Sequence, residues 1–257
     1  MRKIIAANWK MHKTRPEAGA CAASIALSLE ENPLPRDRSG VIFPPYTDIA
    51  TVSDALAGIS GIAVGAQNFY PAREGAFTGE ISPQMLTDAG ASWLLTGHSE
   101  RRSILGETDA LIAEKTRFGL AQGFNLMLCV GETLAQREAG QLADVLKRQL
   151  GSALDDLPAL VGDDLAAKLA IAYEPVWAIG TGKVAGDAEV AQAHAIARQI
   201  LADLLGGQGI RLPILYGGSV KPANAARLLV LDNVDGLLVG GASLEAESFL
   251  EILRANS

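Results

Sequence analysis

Eight short runs of branched aliphatic residues recur along the chain, at 3–7, 40–43, 61–66, 92–95, 124–130, 168–173, 212–216 and 235–239. Each run is nearly continuous rather than alternating, the pattern of a strand buried on both faces in a parallel sheet. Segments with helical period lie between them. Val190, Ile196, Ile200, Leu201 and Leu204 fall along one stripe of a helix predicted to begin near Asp187. Helix starts carry their own marks: Thr14 with Glu17 and Thr133 with Gln136 fit capping boxes, and Ser82 followed by Pro83 fits an N-cap and first helical position. Strand and helix alternate throughout, so each return crossing is made by a helix. Eight such units predict a closed, eight-stranded parallel (β/α)₈ barrel. An open doubly wound sheet is the rival; its dinucleotide-binding form is weakened because no G-x-G-x-x-G follows the first strand. No Pro/Gly/Ser-rich linker or charge block divides the chain, which predicts one domain over residues 1–257.

Composition narrows the partners. With 49% hydrophobic residues the chain can fill a large closed core, and a net charge of −7 disfavours nucleic acid or an anionic membrane as partner. Any anion bound must then be held by local groups. The N-terminal apolar run, Ile4 to Ala7, is too short for a signal-peptide core or a spanning helix, so the expected location is cytoplasmic. Cys21 and Cys129 lack metal-ligand spacing and predict two free thiols, with no metal site. Cys129 precedes Gly131-Glu132-Thr133 without a basic neighbour, so a buried thiol is preferred to a nucleophile there.

In such a barrel the strand ends converge on one face, and polar blocks follow five of them. Asn8-Trp9-Lys10 follows the first run, Gly97-His98-Ser99-Glu100-Arg101-Arg102 the fourth, and Tyr173-Glu174-Pro175-Val176-Trp177-Ala178-Ile179-Gly180-Thr181-Gly182-Lys183 the sixth. Tyr216-Gly217-Gly218-Ser219 and Val239-Gly240-Gly241 follow the last two. In order and spacing these blocks resemble the triosephosphate isomerase family across essentially the whole chain. Departures are Ala7 where glycine is common, His12 where asparagine is common, and Leu105 where an aromatic is common.

The resemblance implies a TIM barrel that interconverts dihydroxyacetone phosphate and glyceraldehyde 3-phosphate without a cofactor. Taken alone, Glu174 would pass for a solvated loop carboxylate. Beside Val176, Trp177 and Ile179 it becomes the candidate base, because a carboxylate abstracting a carbon-bound proton must be held partly away from water. By resemblance His98 donates a ring N–H to the substrate oxygens, kept neutral by a helix N-terminus; this family is the worked case of that effect. His12 and His194, without comparable settings, are expected at the surface. Lys10 is the candidate cation for the phosphate and the developing enediolate, with Asn8 beside it, and Glu100 is read as an ion-pair partner of Lys10 or Arg102 rather than as a catalytic group. The backbone at Gly240 and Gly241 and the hydroxyl of Ser219 are candidate phosphate ligands, joined by Gly180 when its loop closes.

Two other functions stay open on these residues. One is a Schiff-base aldolase with Lys10 as nucleophile; the other is a non-catalytic phosphate-binding or adhesion barrel. The stretch from Gln67 to Ile81 is long for a connection in a compact barrel. By resemblance its tip, Gly75 to Glu80, inserts into a second subunit, which implies a homodimer with Thr78 near the partner's Asn8, Lys10 and Met11.

Overall fold

The computed structural model describes residues 2–155, 157, 165–179 and 185–255. Its strands are β1 (Lys3–Asn8), β2 (Arg38–Phe43), β3 (Ile62–Ala66), β4 (Trp93–Thr96), β5 (Asn125–Val130), β6 (Leu169–Tyr173), β7 (Ile214–Tyr216) and β8 (Gly236–Val239). All pair in parallel in chain order, and β8 closes on β1 from Ile4–Gly236 to Ala7–Val239. The eight predicted runs therefore form the predicted barrel.

Each strand divides its side chains between two apolar layers because successive residues point to opposite faces. Ile4, Ala6, Val41, Phe43, Leu95, Met127, Cys129, Ala170, Ala172, Leu215 and Leu238 fill the barrel interior. The alternate set, including Ile5, Ala7, Ile42, Leu94, Leu128, Ile171 and Leu237, packs outward beneath the helices. The predicted caps form. Glu17 accepts the Thr14 N–H at 2.7 Å, Gln136 accepts the Thr133 N–H at 2.9 Å, and Ser82 Oγ accepts the Met85 N–H ahead of the helix Pro83–Asp88.

The helix Asp187–Leu205 begins where expected but is rotated about its axis relative to the predicted stripe. It buries Val190, Ala193, His194, Ala197 and Leu201, while Leu204 stays 42% exposed. Small alanines face the barrel, letting the helix approach closely, and the larger Ile196 and Ile200 pack at its margin. His194 is accordingly not at the surface as expected; it is fully buried. Its ring stands edge-on to Tyr173 at 5.7 Å, and its Nδ1 lies 2.9 Å from the Asn233 carbonyl. A carbonyl only accepts, so Nδ1 carries the proton. Burial pushes the pKa of this ring down to about 4.

Candidate active site

The alternation that fills the barrel also selects what faces its mouth. Counting two residues beyond the last interior position brings β1 to Asn8, β5 to Gly131, β6 to Glu174, β7 to Gly217 and β8 to Gly240. On β3, where Val64 and Ala66 face outward, the inward position is Gln67. Glycines on three of these ends leave open the space that the side chains of Asn8 and Glu174 enter. A cavity of about 560 Å³ lies there, lined among others by Asn8, Lys10, His98, Glu174, Ser219 and Gly240. That size fits a small ligand.

Glu174 is 2% exposed, although it follows a strand end. Its Oε1 lies 3.1 Å from His98 Nε2, and its Oε2 accepts the Ser99 N–H at 2.9 Å. Burial pushes its pKa up, but His98, the Ser99 amide and Lys10 outweigh that and hold it below the ordinary glutamate value. Gly131 permits this placement. A Cβ built there would stand 1.8 Å from the Glu174 carbonyl oxygen.

His98 reaches the cavity because the chain turns sharply at Gly97, whose φ of +70° suits a residue without Cβ. A Cβ at that position would also meet the Cys129 carbonyl oxygen at 2.8 Å. The ring accepts the Glu100 N–H at Nδ1, 3.3 Å away, at the start of the helix Ser99–Ser103. That bond occupies the Nδ1 lone pair and puts the proton of a neutral ring on Nε2, facing Glu174. Burial opposes charging of the ring, while Glu174 and then Glu100 push its pKa up, with a net rise. The rise thus depends on these two neighbouring carboxylates.

Lys10 stands outside its strand with φ +52°, a left-handed backbone uncommon for lysine. Its N–H donates to Asn8 Oδ1 at 3.0 Å, and its ammonium donates to Glu100 Oε1 at 2.5 Å. Of the two partners left open for Glu100, the structure pairs it with Lys10, whose side chain is thereby tethered on the cavity wall. Trp9 between Asn8 and Lys10 is fully buried, donating to the Ser243 carbonyl at 2.9 Å.

Gly240 and Gly241 line the wall next to Lys10, since β8 neighbours β1 and a Cβ on Gly240 would lie 3.6 Å from Lys10 Cε; Gly241 starts a 3₁₀ turn, Gly241–Ser243. The first N–H groups of such a turn have no partner within it and favour an anion. Ser219 lines the cavity too, but its hydroxyl donates to the Ala178 carbonyl at 3.1 Å, so it is engaged by the loop that follows Glu174. Gly180 lies outside the described residues, as do Thr181 to Lys183 of that loop. Among the described residues no cluster of three or more His, Cys, Asp or Glu side chains fits a metal ion.

Cys129 is fully buried within the barrel, and burial pushes its thiol well up. Such a group is a poor nucleophile. Three residues with no predicted role bear on the site. Gln67 Nε2 donates to the carbonyls of both Lys10 and Phe43 at 2.9 Å. Glu132 is fully buried and accepts the hydroxyl of Tyr173 at 3.1 Å and the indole N–H of Trp177 at 2.8 Å. Gly131 is the third, by its contact with the Glu174 backbone. The period-two count along β3 and β5 reaches both Gln67 and Gly131, so that signal was present in the sequence.

The triosephosphate isomerase family model matches residues 3–256. This chain belongs to the triosephosphate isomerase family. It is 55% identical over 255 residues to the triosephosphate isomerase of Nitratidesulfovibrio vulgaris strain Miyazaki F, covering 99% of this chain and 100% of that protein. It is 54% identical to that of Oleidesulfovibrio alaskensis, again over 99% and 100%. With that of Lawsonia intracellularis it shares 51% over 99% and 98%. The chain is thus an isomerase of triose phosphates, interconverting dihydroxyacetone phosphate and glyceraldehyde 3-phosphate. The aldolase and non-catalytic readings are not favoured. The triosephosphate isomerase reaction moves hydrogen within one molecule, so base, acid and charge stabilisation are what the cavity must supply.

Proposed function

We propose that Glu174 removes the proton from C1 of dihydroxyacetone phosphate. The C–H electron pair forms the C1–C2 double bond of an enediolate, and the charge moves to the C2 oxygen. His98 donates its Nε2–H to that oxygen, and the Lys10 ammonium lowers the energy of the charge. His98 takes the O1 hydroxyl proton in return for the one given to O2, the charge left on O1 forms the C1 carbonyl, and the C1–C2 π pair takes the proton back from Glu174 at C2, giving the aldose. Asn8 holds Lys10 in place, and the backbone at Gly240 and Gly241, with Ser219 and Gly180, takes the phosphate.

One observation carries this assignment: a carboxylate that is 2% exposed meets His98 Nε2 at 3.1 Å in the cavity that Lys10 also lines. The groups holding Glu174 below its ordinary pKa are His98 first, then Ser99 and Lys10. Turning the carboxylate from them toward substrate leaves burial as the dominant influence, and burial makes it a stronger base. His98 loses the larger of its two raising partners in the same movement, so burial, which opposes charging, favours a neutral donor. Loss of one such oxyanion donor costs about 3–4 kcal/mol in other enzymes, so base, donor and phosphate binding must share the work.

The experiment is steady-state turnover of Glu174→Gln. The base assignment expects kcat to fall by about a thousandfold or more with KM changed modestly, since the phosphate contacts remain. Near-normal kcat would contradict it.

The chain acts as one domain, because closure of β8 on β1 makes its first and last strands interdependent. It acts as a homodimer, supported by an apolar surface around the long loop: Met11 is 94% exposed, Met85 55% and Phe77 42%. The free thiols Cys21 and Cys129 accord with a reducing cytoplasm. The net charge of −7 speaks against nucleic acid or an anionic membrane surface as partner; among the described residues no helix is long and apolar enough to cross a membrane.

A further inference from the structure

The barrel interior is closed unevenly. At its C-terminal mouth lies the isomerase site, while at the opposite end a second cavity of about 480 Å³ opens among the starts of β1 to β4. Ile4, Val41 and Trp93, inward positions near the starts of their strands, line it together with Ser39 below Val41 on β2. Ile4 and Val41 are buried, but Trp93 is only partly so and lines the cavity. Gly40, Gly61, Ala63, Ala166 and Ala167 form much of the wall, so small side chains leave room beside Trp93.

The charge around this cavity is opposite to that of the molecule. The chain has 29 Asp and Glu against 22 Lys and Arg, yet no carboxylate lines the cavity among the described residues, and Arg2 and Arg211 do. Arg2 donates through Nε to the Arg38 carbonyl at 2.8 Å, which leaves its outer nitrogens for another acceptor. A Cβ built on Gly61 would lie 3.6 Å from one of those nitrogens, which places the guanidinium over the wall. Neither arginine forms an ion pair among the described residues. An indole face, apolar walls and two guanidinium groups suit a planar ring bearing one negative group: the ring stacks on the indole and a planar fork binds the anion.

We propose that this N-terminal cavity binds a small planar aromatic anion, independently of the isomerase site. The two cavities are separated by the length of the barrel strands, about 15 Å at 3.3 Å per residue. Occupancy here therefore leaves the Glu174 chemistry unobstructed.

Naphthoate is a suitable probe, read by fluorine NMR of protein carrying fluorotryptophan. The chain has three tryptophans, Trp9, Trp93 and Trp177, and Trp93→Phe assigns the signal concerned. Titration is expected to shift the Trp93 signal saturably and leave that of Trp177, beside the isomerase site, unmoved. Inorganic phosphate should not displace the probe. The double variant Arg2→Gln, Arg211→Gln should weaken binding about tenfold or more, with kcat/KM for triose phosphate unchanged. No shift at Trp93, movement of Trp177 instead, displacement by phosphate, or equal affinity in the double variant would each overturn the proposal. Arg211→Lys separates charge from shape: it should retain partial affinity, and full loss there together with a lowered melting temperature would mark the arginine as structural and contradict the site.

Discussion

The side-chain amide of Gln67 donates to the carbonyl of Lys10 at 2.9 Å, and holds the one site lysine whose backbone is left-handed, at φ +52°. A left-handed non-glycine residue costs about 1–2 kcal/mol. Two amide hydrogen bonds at about 1 kcal/mol each are enough to offset it. The same amide also ties Lys10 to the end of β2 through the Phe43 carbonyl. Gln67→Leu removes both bonds while keeping bulk, so Lys10 should relax and its ammonium should leave the cavity wall. Because a fixed cation serves both ground and transition states, kcat/KM should fall about tenfold or more, divided between a higher KM and a lower kcat. Kinetics of the variant alongside its melting curve decide this; unchanged kinetics with a lowered melting temperature would leave Gln67 a purely structural clamp.

Gly131→Ala tests how tightly the Glu174 backbone is seated. The added methyl would sit 1.8 Å from the Glu174 carbonyl oxygen, an atom that cannot rotate away. The end of β6 must shift, and misplacement by about 1 Å can cost about a hundredfold in rate. We expect kcat to drop by that order with the far-ultraviolet circular dichroism retained. An alanine variant with wild-type kcat would mean that the base tolerates displacement.

Burial depresses His194 from the ordinary 6.5 to about 4. Between those values the unfolded chain takes up a proton more readily than the folded one. The corresponding stability is fully present above pH 6.5 and is lost as pH falls toward 4. The slope is at most about 1.4 kcal/mol per pH unit, or about 3 kcal/mol over the whole window. His194→Gln abolishes this proton uptake, so the stability gap between wild type and variant should narrow on acidification. Urea unfolding of both proteins across this window measures it; a gap independent of pH would show that the ring titrates normally.

The eight strands were legible because buried parallel strands leave continuous apolar runs, and every run matches its strand to within one or two residues at each end. The polar blocks were legible because a barrel gathers strand ends on one face. His194 was misplaced because size was weighted above spacing: positions 190, 194, 197 and 201 share one helical face, and alanines rather than the large aliphatics mark the side against the barrel. Gln67 was passed over as the first residue of a long loop, although its inward position follows from alternation on β3. Nothing in sequence spacing brings Ser99 N–H to Glu174; that contact depends on how the helix start after β4 meets the end of β6 in space.

Thr78→Arg tests the proposed subunit contact. Thr78 is exposed on the loop where Phe77 packs on Tyr70, with ring centroids 4.3 Å apart. An arginine in a close-fitting contact should lower both the sedimenting mass and the specific activity, with dilution deepening the loss, because a loosened loop no longer supports Lys10 and its neighbours. A wild-type protein that sediments as a monomer at full activity would contradict the dimer.

Proton abstraction by Glu174 is tested most directly by turnover of dihydroxyacetone phosphate in deuterium oxide, with product and recovered substrate analysed by proton NMR. A carboxylate base that exchanges with solvent predicts deuterium on the reacting carbon in the wild type, and incorporation slowed in Glu174→Gln in parallel with kcat. Equal incorporation in wild type and variant would contradict Glu174 as the base.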